Sequence, residues 1–150
     1  MKKAIVFILT VLLTSSVFAS PKTEVKNLLK QHNKAMQEHN IEKVKTFYSD
    51  DYISSDGFDI SDMEDMLKKT YSSYKDIKYK TKITNLTVND NWALVPMTDK
   101  SKAKVYPNND KKYKDKAGCL DGKSVYNVYL TKDKNEWKIV YDEILAEETS

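Results

Sequence analysis

Arginine is absent from this chain of 150 residues, so all 25 of its basic side chains are lysines. The planar guanidinium fork that reads phosphates and base edges is therefore missing. A formal charge of +3, set against 22 acidic residues, gives no strong basic field either. Both points argue against a nucleic-acid partner. Cysteine occurs once, at Cys119, which excludes an internal disulfide. It leaves a free or intermolecular thiol, or a small residue packed near a turn. Histidine occurs twice. On one helix, His32 and His39 would lie about 10 Å apart, too far to share an ion. No carboxylate or cysteine spacing completes a metal site, so neither a metal nor another cofactor is expected. There is no internal repeat.

Long apolar runs are also missing. The longest, Ala4 to Leu13, falls short of the roughly 20 residues that cross a bilayer. It follows Met1-Lys2-Lys3 and leads through Thr14-Ser15-Ser16 to Val17-Phe18-Ala19. This is the n-region, h-region and small-residue cut site of a secretory signal peptide, with cleavage expected after Ala19. No cysteine follows to carry a lipid. The expectation is an exported protein, periplasmic or secreted, without an integral membrane span once residues 1–19 are removed. Residues 20–150 remain as one domain's worth of chain. Losing Lys2 and Lys3 takes the formal charge from +3 to +1.

The stretch from Thr23 to Tyr52 organises the remainder. Val25, Leu28, Leu29, His32, Ala35, Met36 and His39 share one stripe of a helix, with lysines and asparagines opposite. Thr23 is the expected N-cap. A second helix, Ile41 to Tyr48, leads through Asp50-Asp51 into a short strand at Tyr52-Ile53. After the turn Ser54 to Gly57, Phe58-Asp59-Ile60 reads as another brief strand. Ser61 with Glu64 matches a capping box for a third helix running to about Tyr74. The period then changes to two: Ile77, Tyr79, Thr81 and Ile83 alternate with lysines. A parity change to Leu86 and Val88 predicts a bulge near Asn85. Asn89-Asp90-Asn91 is a hairpin signal, and Trp92 to Val105 returns as a strand that Pro96 and Lys100, Lys102 and Lys104 mark as an edge or an exposed section. Tyr106 to Gly122 reads as a polar loop, followed by strands over Lys123 to Lys132 and Glu136 to Ile144. Apolar residues on both parities of the last strand suggest cover on both faces. Ala146 to Ser150 is an acidic tail.

This order is α+β: three helices and two short strands, then four long strands paired by hairpins. It resembles the cone-shaped nuclear-transport-factor-2-like (SnoaL-like) superfamily. The segment HNIEKVKTFYSDDYI resembles the family's second helix and following strand, and NEWKIVYDEI resembles its last strand. The resemblance implies three N-terminal helices packed on a curved, mostly antiparallel sheet that wraps around the first helix, with an apolar pocket at the open end of the cone. Enzymes of the superfamily place an aspartate or histidine base there, with a tyrosine or acid beside it. Many carry a histidine on the last strand; here Tyr141 and Glu143 stand instead, so no catalytic histidine is carried over.

His32 sits mid-stripe and points to the pocket or core, as a base, a ligand contact or a satisfied core residue. Asp51 and Asp142 are the carboxylates nearest apolar strands, and either is a candidate base if buried beside a tyrosine. Asp51 fits a turn equally well, and Asp142 a solvent-facing position. His32, Met36, Tyr52, Tyr71 and Tyr126 are the expected pocket contacts, suited to a small apolar or aromatic ligand. Two lysine alternations, 78/80/82 and 100/102/104, lie on one sheet face if paired residue numbers sum to an even value, and on opposite faces otherwise. A shared face means either plain solvation or an anionic partner. The favoured expectation is a non-catalytic binding or interaction module. A pocket enzyme doing proton transfer and a homodimeric scaffold are the alternatives.

Overall fold

The computed structural model describes residues 19–105 and 119–149. The expected signal segment and most of the polar stretch from Tyr106 to Gly122 lie outside the described residues, as does the side chain of Cys119.

Helix α1 spans Pro21–Gln37. Its cap is Ser20 rather than Thr23. The Ser20 hydroxyl accepts from the Thr23 backbone N–H, and Pro21 fills the first turn, where no N–H partner is needed. The helix stops two residues before His39, which is not on its stripe. Asn40 N–H donates to the Ala35 carbonyl and His39 N–H to the Met36 carbonyl, with His39 left-handed at φ 54°. That pair of bonds closes the helix as a Schellman motif. Helix α2 is short, Ile41–Lys45, and strand β1 starts early, at Tyr48–Ser54.

The expected strand at Phe58 to Ile60 does not form. Asp59 instead caps α3, Ile60–Ser73, and its carboxylate accepts from Ser61 and Asp62 while Asp62 answers the Asp59 N–H. Asp wins over Ser61 because its Oδ1 accepts from two backbone donors and its charge meets the positive end of the helix. Glu64 is then free to bind Lys45 at 2.6 Å and Lys68 at 2.7 Å, which ties α2 to α3 and holds its carboxyl down at about 2.

Among the described residues the remaining strands are β2 (Tyr74–Ile83), β3 (Thr87–Val88), β4 (Trp92–Val105), β5 (Cys119–Asp133) and β6 (Glu136–Thr149). The sheet order is β1-β6-β5-β4-β2, with β3 also on β4; only the β1–β6 pair is parallel. β5 opens at Cys119, earlier than expected, and β6 absorbs the acidic tail by pairing Gly122 with Thr149. Pro96 is not on an edge, because β4 is paired on both sides. Its carbonyl accepts from Thr84 N–H, so its nitrogen also faces β2 and β3, in the gap between their pairings at Ile83 and Thr87. No donor is needed there. The parity change near Asn85 is this strand break, while the bulge falls between Lys75 and Lys78, with Asp76 at φ 54°.

The core lies on one face of the sheet. Val25 and Leu29 of α1, Val44, Leu67 of α3, Val95, Leu130 and Ile139 pack together there. Glu24 pins the start of α1 to the far end of the sheet, accepting from Trp137 Nε1 at 2.8 Å and Lys132 Nζ at 3.0 Å. On the other face, Lys78 pairs with Lys102 and Lys80 with Lys100, both pairs summing to 180. The even register holds, and all six lysines of the two alternations lie exposed on one face.

Candidate functional site

β6 does not keep its parity. Leu130 pairs with Ile139 but Tyr129 with Tyr141, so Val140 has no partner on β5. A second slip, between Tyr126–Ile144 and Val125–Ala146, does the same to Leu145. These two bulges explain apolar residues on both parities without cover on both faces. Ile139 faces the core; without the first bulge Asp142 would face outward. With it, Asp142 lies beside core-facing Val128, its partner in register. The second bulge turns Glu147 to the same side.

The result is a cavity of about 450 Å³ at the open end of the sheet. α1 lends Leu29, His32 and Met36, and α3 lends Met63 and Met66. β1 supplies Tyr48 and Tyr52, β2 Tyr79, β4 Met97 and Asp99, β5 Tyr126 and β6 Asp142. Phe58, Met66 and Ile144 stand at the mouth, each about half exposed at 49%, 52% and 45%.

Three polar pairs project into this apolar frame. His32 Nε2 meets the Tyr48 hydroxyl at 3.1 Å. Tyr52 donates to Asp142 Oδ2 at 2.8 Å, and Tyr126 donates to Asp99 Oδ2 at 2.5 Å. Tyr48 and Tyr52 also meet edge to face at 4.7 Å, linking the first two pairs. The other oxygen of Asp99 is buried with no hydrogen-bond partner. Burial pushes the His32 imidazole down to about 4, with Asn33 and the Asp99 charge opposing, so the ring is neutral at physiological pH. Burial likewise pushes the Tyr48, Tyr52 and Tyr126 phenols up, reinforced by the neighbouring carboxylates. They remain hydrogen-bond donors. The Asp142 carboxyl is raised by burial and, less, by the Asp56 charge, while the Tyr52 hydrogen bond holds it back.

Of the five residues expected at a pocket, His32, Met36, Tyr52 and Tyr126 line the cavity and Tyr71 does not. Tyr71 stands behind it, donating to the Met36 carbonyl at 3.2 Å and stacking on His39 at 4.2 Å. Of the two candidate bases, Asp142 lines the cavity and Asp51 is exposed on the opposite parity of β1. Asp99 was not foreseen. The signal was there: Ala93, Val95, Met97 and Asp99 share one parity of β4, opposite Lys100, Lys102 and Lys104, so an acid occupies the apolar side. Among the described residues, no three ligating side chains cluster to hold a metal ion.

No family model matches the sequence, and no curated protein does. The fold, by contrast, is widely shared. A protein assigned as a scytalone dehydratase in Novosphingobium aromaticivorans superposes with a TM-score of 0.70 at 10% identity, over 85% of this chain and 84% of that one. A hexachlorocyclohexane dehydrochlorinase from Novosphingobium barchaimii gives 0.67 at 9% identity, over 86% and 89%. A ketosteroid isomerase-like protein from Erwinia carotovora atroseptica gives 0.62 at 12%, over 86% and 99%. The chain has the nuclear-transport-factor-2-like fold, with three helices among the described residues on an open, curved, mostly antiparallel sheet.

Proposed function

We propose that this cavity is a small-molecule-binding site and that the chain is an exported, non-catalytic binding module. The observation that carries the reading is the cavity's build. It has a volume in the ordinary range for ligand sites, roughly 300–1,000 Å³. Its walls are apolar and aromatic, and its three polar pairs converge from five different elements. Such a site suits a ring-bearing or amphipathic compound. The lysine rows weigh against a homodimer through that part of the outer sheet face, since two copies would bring like charges together.

One observation favours a second reading, proton transfer. Asp142 is a carboxyl raised by burial and held by a tyrosine hydroxyl, the arrangement of a general base beside a donor. The structural neighbours named as a dehydratase, a dehydrochlorinase and an isomerase-like protein lend that reading support from the fold alone.

Native mass spectrometry of the mature protein, isolated gently from its own host, tests the binding reading. The expected result is a small molecule retained by the natural chain and lost from Ser124→Phe, which fills the cavity from β5. Equal ligand on both proteins would place the bound molecule elsewhere. Turnover abolished by Asp142→Asn would bring the enzyme reading forward.

A further inference from the structure

The geometry points to an organic cation as the occupant of this cavity: an ammonium group carried on an apolar or aromatic body. The inference rests on the cavity being a binding site and adds the sign of the ligand's charge. Among the described residues, four carboxylates line the cavity, Asp56, Asp99, Asp142 and Glu147, and no lysine does. Burial alone would exclude both signs of charge. Here only one sign is kept out.

The imbalance is not corrected from nearby. The ion pairs among the described residues engage other carboxylates, and none of these four has a lysine partner. Inside the cavity, Asp99 and Asp142 each take one tyrosine hydroxyl, a neutral donor that leaves the negative charge in place. Asp99 keeps a further buried oxygen with no partner. Asp56 and Glu147 flank the way in from exposed positions. The imidazole on the wall is held neutral by burial, so among the described residues no competing positive charge lines the cavity.

The rings complete the argument. Tyr48, Tyr52, Tyr79 and Tyr126 surround the carboxylates, and the negative face of an aromatic ring attracts a positive charge, most strongly where water is excluded. A bare metal ion would find no set of three ligands among the described residues. An anion would meet carboxylates and nothing to balance it. An ammonium on a larger apolar body satisfies the acids, the rings and the methionines together.

A matched pair of compounds tests the charge. Benzyltrimethylammonium and neopentylbenzene share one shape and differ by replacement of the positive nitrogen with carbon. Each is titrated into the mature protein, with binding followed by calorimetry and by the methyl signals of Met36, Met63, Met66 and Met97, all of which line the cavity. The ammonium is expected to bind at least about tenfold more tightly than its isostere. Asp99→Asn and Asp142→Asn should each shrink that preference, read as the ratio of the two affinities within each variant. Equal binding of the pair, or a preference that survives both substitutions, overturns the charge inference and leaves the binding site standing. No response of the methyl signals to either compound overturns the cation inference and removes support from the binding reading beneath it.

Discussion

His32 is held neutral by its surroundings, and that has a thermodynamic consequence. Its folded value of about 4 lies below the unfolded 6.5. Between those values the unfolded chain binds a proton that the folded chain refuses, so stability falls as pH is lowered through that window. Urea unfolding at pH 7 and pH 4.5 should show a loss of about 2 kcal/mol from this group, and His32→Phe should remove that component. Asp142 acts with the opposite sign. Its raised carboxyl contributes most at low pH and loses that contribution as pH rises through its folded value, so Asp142→Asn should raise the melting temperature at neutral pH. Tyr126→Phe should cost about 2 kcal/mol in the same urea assay, because Asp99 then has no hydrogen-bond donor on either oxygen. Helical spacing revealed His32 from sequence. Asp99 was legible by strand parity, but parity could not reveal Asp142, because a bulge two residues earlier reverses it.

At the scale of elements, backbone geometry outvotes side-chain pattern in several places. The Ser61–Glu64 spacing fits a capping box, yet Asp59 makes the cap and Glu64 makes ion pairs. Asp59→Ala should therefore cost about 1 kcal/mol and Ser61→Ala nearly nothing, as read by thermal unfolding. The capping-box expectation has the reverse order. The lysine register gives a second test. Lys100 lies between Lys80 on one side and Lys123 on the other, in direct register with both. Lys100→Glu turns two like-charge pairs into attractive ones and should stabilise the protein by up to about 1 kcal/mol at low salt, less at high salt. The even register was one of two outcomes the sequence allowed. The bulge at Lys75 to Lys78, invisible in the alternation, precedes the pairs that decide it.

The molecule as a whole separates its charges across one sheet. Exposed lysines occupy the outer face of β2 and β4, while the concave side gathers acids and tyrosines around a cavity. Alternation drives this, since each lysine at an even position of β4 leaves its neighbour to the other face. The helix count and the hairpins followed from periodicity, because long amphipathic patterns have few alternative packings, and the sheet around α1 followed from the family resemblance. The cavity's chemistry followed less well, since it depends on two single-residue slips in β6 and on which strands become neighbours. β1 and β6 are far apart in sequence, yet their pairing brings Tyr52 to Asp142.

The chain carries its own reporters for the central claim. Met36, Met63, Met66 and Met97 are the methionines that follow Met1, and all four line the cavity. With carbon-13 in their methyl groups, a library of small amphipathic compounds can be titrated against them directly. The account predicts that a bound compound moves the four signals together, and that Ser124→Phe abolishes the response. Compounds that bind while leaving all four methyls unmoved would contradict it.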